Sequence, residues 1–327
     1  MIDEFEKINE AERLNFLAKL SDMYYELNMT QSEIASKLST TRFKVSKLLQ
    51  EARDKHVVEI TINKPHSRVP KLENILKENF DLKDALVLDN KMLAYEETLS
   101  TLGKLGAQYV DDLISENSII GVLWGKTLFN LIKNLKPKKK LPITTVQMVG
   151  SAAKDNTIVD SQELMRRMAR IYGGKCKYLY APLYIDNDYA RKALMREPVL
   201  SDTLFFANKS DIILTGVGTT DAMFSSSLWA NYLERVKQYN LDDLKAVGCI
   251  YGRVYNDLGE EVDIDINQKV IGIDTSAIRQ ANHVIGIAAG KFKAKAILGA
   301  LRGKYINTLI TDDATASKIL SLAKIQF

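Results

Sequence analysis

The sequence is poor in the residue types that build metal clusters and disulfide frameworks. Its 327 residues include two cysteines, Cys176 and Cys249, and three histidines. Two cysteines so far apart exclude a disulfide scaffold and agree with a reducing compartment. Because the histidines share no spacing, the sequence predicts no metal site, and we expect no cofactor.

Long apolar runs are also absent. The longest, such as Val284–Ala289, are far short of the ~20 residues that span a bilayer. The first six residues, M-I-D-E-F-E, are acidic where a signal peptide is basic and then apolar. A content of 46% apolar and 26% charged residues is usual for a folded protein with a sizeable core. We therefore expect a cytoplasmic protein without a membrane partner.

Charge and proline divide the chain into two domains. Residues 1–12 carry five carboxylates and one base, whereas residues 36–50 carry four bases and no acid. Pro65 and Pro70 flank a short polar stretch, where proline prevents a helix from continuing. The sequence therefore predicts an N-terminal domain over residues 1–62, a linker over residues 63–70 and a larger domain over residues 71–327.

The first domain has the pattern of a winged helix-turn-helix. Apolar residues recur every three or four positions over residues 14–27, which predicts an amphipathic helix. Thr30 and Glu33 have the spacing of a capping box that begins a second, short helix. Thr41 is the predicted N-cap of a third, basic helix. Alternating polar and apolar residues over residues 56–62 predict the strand of a wing.

The basic third helix predicts double-stranded DNA as a partner. A helix that enters the major groove needs short polar or basic residues to reach base edges and cations to hold phosphates. The candidate DNA-binding residues are Lys37, Thr41, Arg42, Lys44, Ser46 and Lys47. The alternative is a solvated charged face on an ordinary helical hairpin. The capping box, the lack of acids and the predicted strand together favour DNA.

The second domain alternates between apolar runs and helical periodicity. Strands are predicted over 85–88, 118–123, 144–149, 178–181, 211–217, 247–251, 270–273, 283–288 and 308–311. The helices between them include 99–113, 162–171, 291–301 and 314–322. This alternation predicts a three-layer α/β/α domain around a mainly parallel sheet. Ligands of such sheets bind beyond the carboxyl ends of the strands.

Glycines follow four of the predicted strands, and cations follow two of these glycines. A glycine that leads from a strand into a helix presents free amides and the positive helix end to an anion. The candidate ligand-binding residues are Gly125, Lys126, Thr127, Gly150, Ser151, Gly216, Gly218, Arg253, Gly290 and Lys293. The alternative interpretation is that the glycines only form tight connections and that the lysines lie on the surface. Four such exits from one sheet favour a shared pocket for a small anion.

One of these exits, Gly121–Thr127, is close to a P-loop in sequence. The nucleoside-triphosphatase signature places four residues between its first glycine and the Gly-Lys-Thr sequence, and this chain places three. We therefore predict no nucleoside-triphosphate site.

With these motifs in place, the sequence resembles the SorC family of bacterial transcriptional regulators along nearly its whole length. The resemblance is carried by Met23–Leu38, Val45–Ala52, Trp124–Thr127, Ala246–Gly252, Val284–Ile297, Leu301–Gly303 and Thr311–Ala316. It implies a homo-oligomer, a dimer or tetramer, that binds operator DNA and responds to a phosphorylated sugar.

The resemblance also implies roles for individual residues. Gly125–Thr127 would hold the phosphate, Lys293 and the Gly216–Gly218 loop would complete the pocket, and Gly150 and Ser151 would border it. The recognition helix departs from the family because Thr41 replaces a serine and Phe43 a smaller residue, so no operator sequence can be transferred. Ala289-Gly290 stands where the family has a glycine pair.

The sugar-binding domain of this family is similar in fold to sugar-phosphate isomerases and deaminases, which gives an enzyme as the alternative. Such deaminases place a histidine after the Gly-x-Gly loop, and this chain has Thr219-Thr-Asp221 there. No second titratable group is evident to assist Asp221 in acid–base catalysis. We therefore predict a regulator, not an enzyme; whether a lysine forms an imine with the effector is left open.

Overall fold

A computed structural model describes residues 9–60, 67–91, 93–151, 157–224, 241 and 243–327. The chain divides into two compact units, an N-terminal unit of residues 1–65 and a C-terminal unit of residues 66–327. Each unit has its own apolar core.

Three helices form the described part of the N-terminal unit: α1 (Glu10–Tyr25), α2 (Gln31–Lys37) and α3 (Arg42–Asp54). The predicted capping box is confirmed, because the Glu33 amide donates to the Thr30 hydroxyl at 3.2 Å and the Thr30 amide donates to the Glu33 carboxylate at 2.7 Å. The Lys44 amide donates to the Thr41 hydroxyl at 3.2 Å, which confirms the predicted cap of α3.

The inner faces of these helices build a small core. Its buried members are Leu20, Ile34, Ala35, Val45 and Leu49. A side-chain ion pair between Arg13 of α1 and Glu51 of α3, with Nε and Oε1 at 2.5 Å, joins the two longer helices. The hydrogen bonds from this guanidinium lower the pKa of Glu51. Core and ion pair together fix α3 by one face and leave its basic N-terminal half outside.

The strand predicted over residues 56–62 is not formed in its described part, residues 56–60. These residues instead cap the C-terminal end of α3, because the amides of Val57 and Val58 donate to the Ala52 carbonyl at 2.8 and 3.1 Å. A strand needs a neighbour for its backbone hydrogen bonds, and the described part of this unit offers none. Residues 61 and 62 lie outside the described residues.

The C-terminal unit alternates strands and helices. Its strands are β1 (Asp84–Leu88), β2 (Ile119–Val122), β3 (Thr144–Gln147), β4 (Lys175–Lys177), β5 (Ile212–Thr215), β6 (Gly218–Thr219), β7 (Ala246–Ile250), β8 (Arg253–Asn256), β9 (His283–Ile287) and β10 (Thr308–Asp312). Its helices are α4 (Pro70–Phe80), α5 (Tyr95–Leu113), α6 (Lys126–Ile132), α7 (Ser161–Tyr172), α8 (Asp188–Arg196), α9 (Pro198–Asn208), α10 (Thr220–Phe224), α11 (Asp265–Gln268), α12 (Thr275–Gln280), α13 (Ala294–Arg302) and α14 (Asp313–Leu322). Across the described ranges, no helix combines the length and apolar character that a membrane crossing requires.

Seven strands form one sheet in the order β1-β10-β9-β5-β2-β3-β4, and every pairing in it is parallel. All four residues of the central strand β5 are buried, as expected when helices cover both faces of a parallel sheet. The predicted α/β class with a parallel sheet is confirmed. The order places β9, β5 and β2 side by side at the centre, so that their carboxyl ends open at one edge.

Three predicted strands differ from the structure. Residues 178–181 and 270–273 form no strand. Residues 270–273 make only isolated bridges, such as Val149 with Gly272. Leu179, Ala181 and Ile271 instead join a separate buried cluster, whereas Val270 and Ile273 belong to the main core. The third segment, β7, pairs antiparallel with β6 and β8 in a small second sheet. Apolar patterning indicates burial, and it does not specify a hydrogen-bonded neighbour.

Helix α5 packs closely on α6, and the contact depends on Gly103. A Cβ atom at this position would lie 2.5 Å from the carbonyl carbon of Asn130 in α6. Because a backbone atom cannot yield to such a contact, we expect Gly103→Ala to lower the free energy of unfolding by about 2 kcal/mol. Urea denaturation measures this change. Exposed Lys104→Ala on the same helix should stay within about 0.5 kcal/mol; equal stability of the two variants would contradict the packing.

Candidate functional site

A cavity of about 270 Å³ lies at the carboxyl ends of the central strands. Its lining comes mainly from the residues that follow β2, β5 and β7, together with Lys293 after β9. A cavity of this size is large enough for a small metabolite. The position beside β2 and β5 is where the strand order reverses, the place where ligands of open parallel sheets bind.

Six of the ten predicted ligand-binding residues line this cavity. They are Gly125, Lys126, Thr127, Gly216, Gly218 and Lys293. They belong to three segments far apart in sequence that the adjacent strands β2, β5 and β9 bring together. No cluster of His, Cys, Asp and Glu suited to a metal ion occurs within the described ranges.

Gly150 and Ser151 lie outside the lining of the cavity. The Gly150 amide donates to the Ile271 carbonyl at 2.9 Å, and the Ser151 amide donates to the Ala181 carbonyl at 2.8 Å. Their backbone donors are therefore used by neighbouring segments of the protein. Their part in ligand binding stays a prediction.

Arg253 and Gly290 also lie outside the lining. The Arg253 guanidinium is mostly buried and has its Nε 3.8 Å from Oε2 of Glu261. The Gly290 amide donates to the Asp312 carboxylate at 3.0 Å and to the Thr315 hydroxyl at 2.8 Å. Both groups thus have partners within the protein, and their role as ligand contacts stays a prediction.

Lys293 is the cavity residue with the most distinctive electrostatics. Burial lowers the pKa of its side chain, and the described residues provide neither an ion-pair partner nor a hydrogen-bond acceptor for it. A desolvated cation is costly unless an anion or acceptor compensates it. By contrast, Lys126 is largely exposed and has its Nζ 3.7 Å from Oε1 of Glu96. Lys293 therefore makes the cavity attractive to an anion.

Several lining residues were not selected from the sequence. Thr215 and Thr219 flank the Gly-x-Gly loop after β5, so the rule that ligands bind at strand ends could have found them. Tyr95 reaches the cavity from the start of α5, and its ring centroid is 5.8 Å from that of Phe292. Burial raises the pKa of Tyr95. No local sequence pattern connects Tyr95 with the other lining residues, because this approach is set by the tertiary fold.

The turn into α6 depends on the backbone of Gly125. Its φ is +131°, and a Cβ atom here would meet nothing within 4 Å. The cost of Gly125→Ala is therefore purely conformational, and we expect a loss of about 1–3 kcal/mol in the free energy of unfolding. Gly216→Ala is the matched control, because Gly216 lines the same cavity and its Cβ would be 3.7 Å from the nearest atom. Chemical denaturation of both variants should separate them; equal losses would contradict the backbone argument.

The predicted DNA-binding residues lie at the end of α2 and in the N-terminal half of α3. Lys37, Thr41, Arg42, Ser46 and Lys47 are exposed, and Lys44 is partly buried. The Thr41 hydroxyl also caps α3. With no acid between residues 36 and 50, this surface is positively charged, as expected for contact with phosphates.

Comparison with known proteins agrees with both units. A family model that describes a sugar-binding domain matches residues 64–321. The chain is 30% identical over 315 residues to the sorbitol operon regulator of Klebsiella pneumoniae, covering 96% of this chain and 100% of that protein. The crystal structure of the same full-length regulator is similar with a TM-score of 0.80, over 96% of this chain and 99% of that one. The deoxyribonucleoside regulator of Bacillus subtilis (strain 168) is 28% identical over 314 residues, 95% of this chain and 99% of that protein.

A three-helix unit with a basic outer helix, followed by a sugar-binding domain, defines a transcriptional regulator, and the similar proteins are regulators and not enzymes. DNA and a sugar effector are accordingly its partners. The chain belongs to the SorC family of transcriptional regulators. Asp221, the residue considered for catalysis, is exposed and is not among the residues that line the cavity.

Proposed function

We propose that the chain is a cytoplasmic, homo-oligomeric regulator, a dimer or tetramer, that binds operator DNA through α3 and is controlled by a small phosphorylated sugar in the cavity. Residues 1–62 act as the DNA-binding domain, residues 63–70 as the linker and residues 71–327 as the sensing and oligomerisation domain. The observation that carries the proposal is the cavity at the strand ends, where the half-buried Lys293 lies with Lys126, Thr127 and the Gly216–Gly218 loop.

The phosphate follows from the charge of the cavity. A neutral sugar would leave the Lys293 ammonium uncompensated, whereas a phosphate gives it a charge-assisted hydrogen bond. Lys126 adds a second cation at the same cavity. The first turn of α6 leaves the amides of Lys126 and Thr127 without intrahelical partners, and the Thr127 hydroxyl is a further donor. These groups together match the three oxygens of a phosphate monoester.

Control of DNA binding follows from the presence of two N-terminal units in one oligomer. Two copies of α3 contact half-sites a whole number of DNA turns apart. The effector changes DNA affinity by binding more tightly to one arrangement of the oligomer than to the other. The exposed cations Lys37, Arg42 and Lys47 make the DNA complex sensitive to salt.

A thermal-shift screen with matched sugars and sugar phosphates tests the effector. We expect at least one hexose or pentose phosphate to raise the melting temperature, while its unphosphorylated counterpart and inorganic phosphate at the same concentration raise it less. Stabilisation by neutral sugars alone would contradict the phosphate site.

Selection of bound duplexes from a random library by the full-length chain tests the DNA-binding part. We expect enrichment of a two-fold repeated sequence, and a change in the affinity for it when the effector found by thermal shift is added. If the chain were a scaffold protein built on the same sheet, it would select no DNA sequence. If it were an enzyme, it would consume the sugar phosphate.

A further inference from the structure

Phe43 is a large apolar side chain at the second position of α3, and 70% of its surface is exposed. It does not belong to the apolar cluster of the N-terminal unit. The Lys47 ammonium lies 4.9 Å from the centroid of the Phe43 ring, one helical turn further on. This cation–π contact favours a defined position of the ring on the surface.

The surroundings of Phe43 are polar and basic. Positions i, i+3, i+4 and i+7 share one face of a helix, so that Ser46, Lys47 and Gln50 lie in line with Phe43, and all four are exposed. The core residues Val45 and Leu49 are buried on the other side. The ring is thus an isolated apolar group on a positively charged surface.

The charges indicate what covers the ring. An apolar protein surface would desolvate the neighbouring cations without offering them counter-ions, which is unfavourable. Duplex DNA supplies phosphates for the cations and, in the major groove, one apolar group on the base edges, the C5-methyl group of thymine. The residues at the N-terminal end of a recognition helix are those that reach base edges.

We propose that Phe43 determines operator specificity by contacting the C5-methyl group of a thymine in each half-site. The inference rests on the proposed binding of operator DNA by α3. Lys47 acts through its contact with the ring, which it orients, and is a positioning residue in this respect.

The test begins with the duplex that the full-length wild-type chain selects from a random library. Each thymine of that duplex is replaced singly by deoxyuridine, which keeps the base pair and removes only the methyl group. We expect one position in each half-site where this change weakens wild-type binding about fourfold, as expected for one buried methyl group. At that position Phe43→Ala should bind both duplexes equally, and Phe43→Leu should retain part of the preference.

The control is the melting temperature, which should be unchanged in Phe43→Ala because the ring is outside the core. If Phe43→Ala still preferred thymine to deoxyuridine as strongly as the wild type does, the proposed contact between Phe43 and thymine would be overturned. The proposed DNA binding by α3 would remain in place. If the wild-type chain selects no duplex, both proposals fail. A change of oligomeric mass in Phe43→Ala with intact methyl discrimination would also overturn the contact, because the ring would then belong to an interface between copies.

Discussion

Lys293→Met is expected to weaken sugar-phosphate binding by a factor of about 30 or more. Methionine keeps the length and much of the volume of the lysine stem, so the change removes mainly the charge. Truncating one partner of a buried charge pair costs about 2–5 kcal/mol, because the other charge is then left uncompensated. Isothermal titration with the sugar phosphate found by thermal shift measures the loss.

The same substitution should stabilise the protein without ligand. Burial lowers the pKa of Lys293 in the folded state, so the unfolded chain holds this proton more tightly. Protonation therefore favours unfolding, and stability rises with pH from the folded pKa to the unfolded one. Lys293→Met should melt higher than the wild type at neutral pH and lose this part of the pH dependence. Thermal melts in a series of buffers test the sign directly.

Lys126→Met is the matched control for Lys293→Met. Its ammonium is largely exposed and paired with Glu96, so solvent already compensates much of its charge. We expect a loss of affinity below about tenfold, since exposed charge pairs contribute little, and no rise in melting temperature. If Lys293→Met bound the sugar phosphate as tightly as the wild type, the phosphate would lie elsewhere. If Lys126→Met lost more affinity than Lys293→Met, Lys126 would be the main phosphate contact.

The parts of the site that the sequence predicts are those fixed by neighbouring strands. Parallel strands end at one edge of the sheet, so the exits at Gly125 and Gly216 had to lie close together once β2 and β5 were adjacent. Gly150 follows β3, a neighbour of β2, but its amide is taken by Ile271. That bond joins segments more than a hundred residues apart, and no local pattern specifies it. The same reason applies to Tyr95.

The fold shows the same division between local and non-local information. The capping residues Thr30 and Thr41 act within three residues of themselves, and the structure confirms both. The wing strand and the segment at residues 270–273 fail, because a strand also needs a partner from elsewhere in the chain. Residues 270–273 are buried, so the apolar pattern correctly predicts burial there and not the pairing. In the described part of the wing segment, Val57 and Val58 are half-buried and Ile60 is exposed.

The double substitution of Lys37 and Arg42 by alanine is expected to weaken operator binding about 100-fold. Both side chains are exposed on the basic surface, one at the end of α2 and the other at the start of α3. Each lost hydrogen bond from a charged group costs about 1.5–3 kcal/mol. The cation over the ring of Phe43 is Lys47, which this double substitution retains, so the test is separate from that of the thymine contact.

The salt dependence distinguishes lost phosphate contacts from a damaged fold. Each phosphate contact contributes about 0.9 to the slope of log affinity against log salt, so the double variant should have a slope shallower by about 1.8. Lys19→Ala is the control, because Lys19 is an exposed cation on α1 and not on α2 or α3, which carry the predicted DNA-binding residues. It should retain the wild-type slope and bind within about twofold, as expected for a surface change outside the interface. Sugar-phosphate affinity should be unchanged in both variants, since these residues belong to the N-terminal unit. An unaltered slope in the double variant would mean that Lys37 and Arg42 face solvent in the DNA complex and that another surface holds the phosphates.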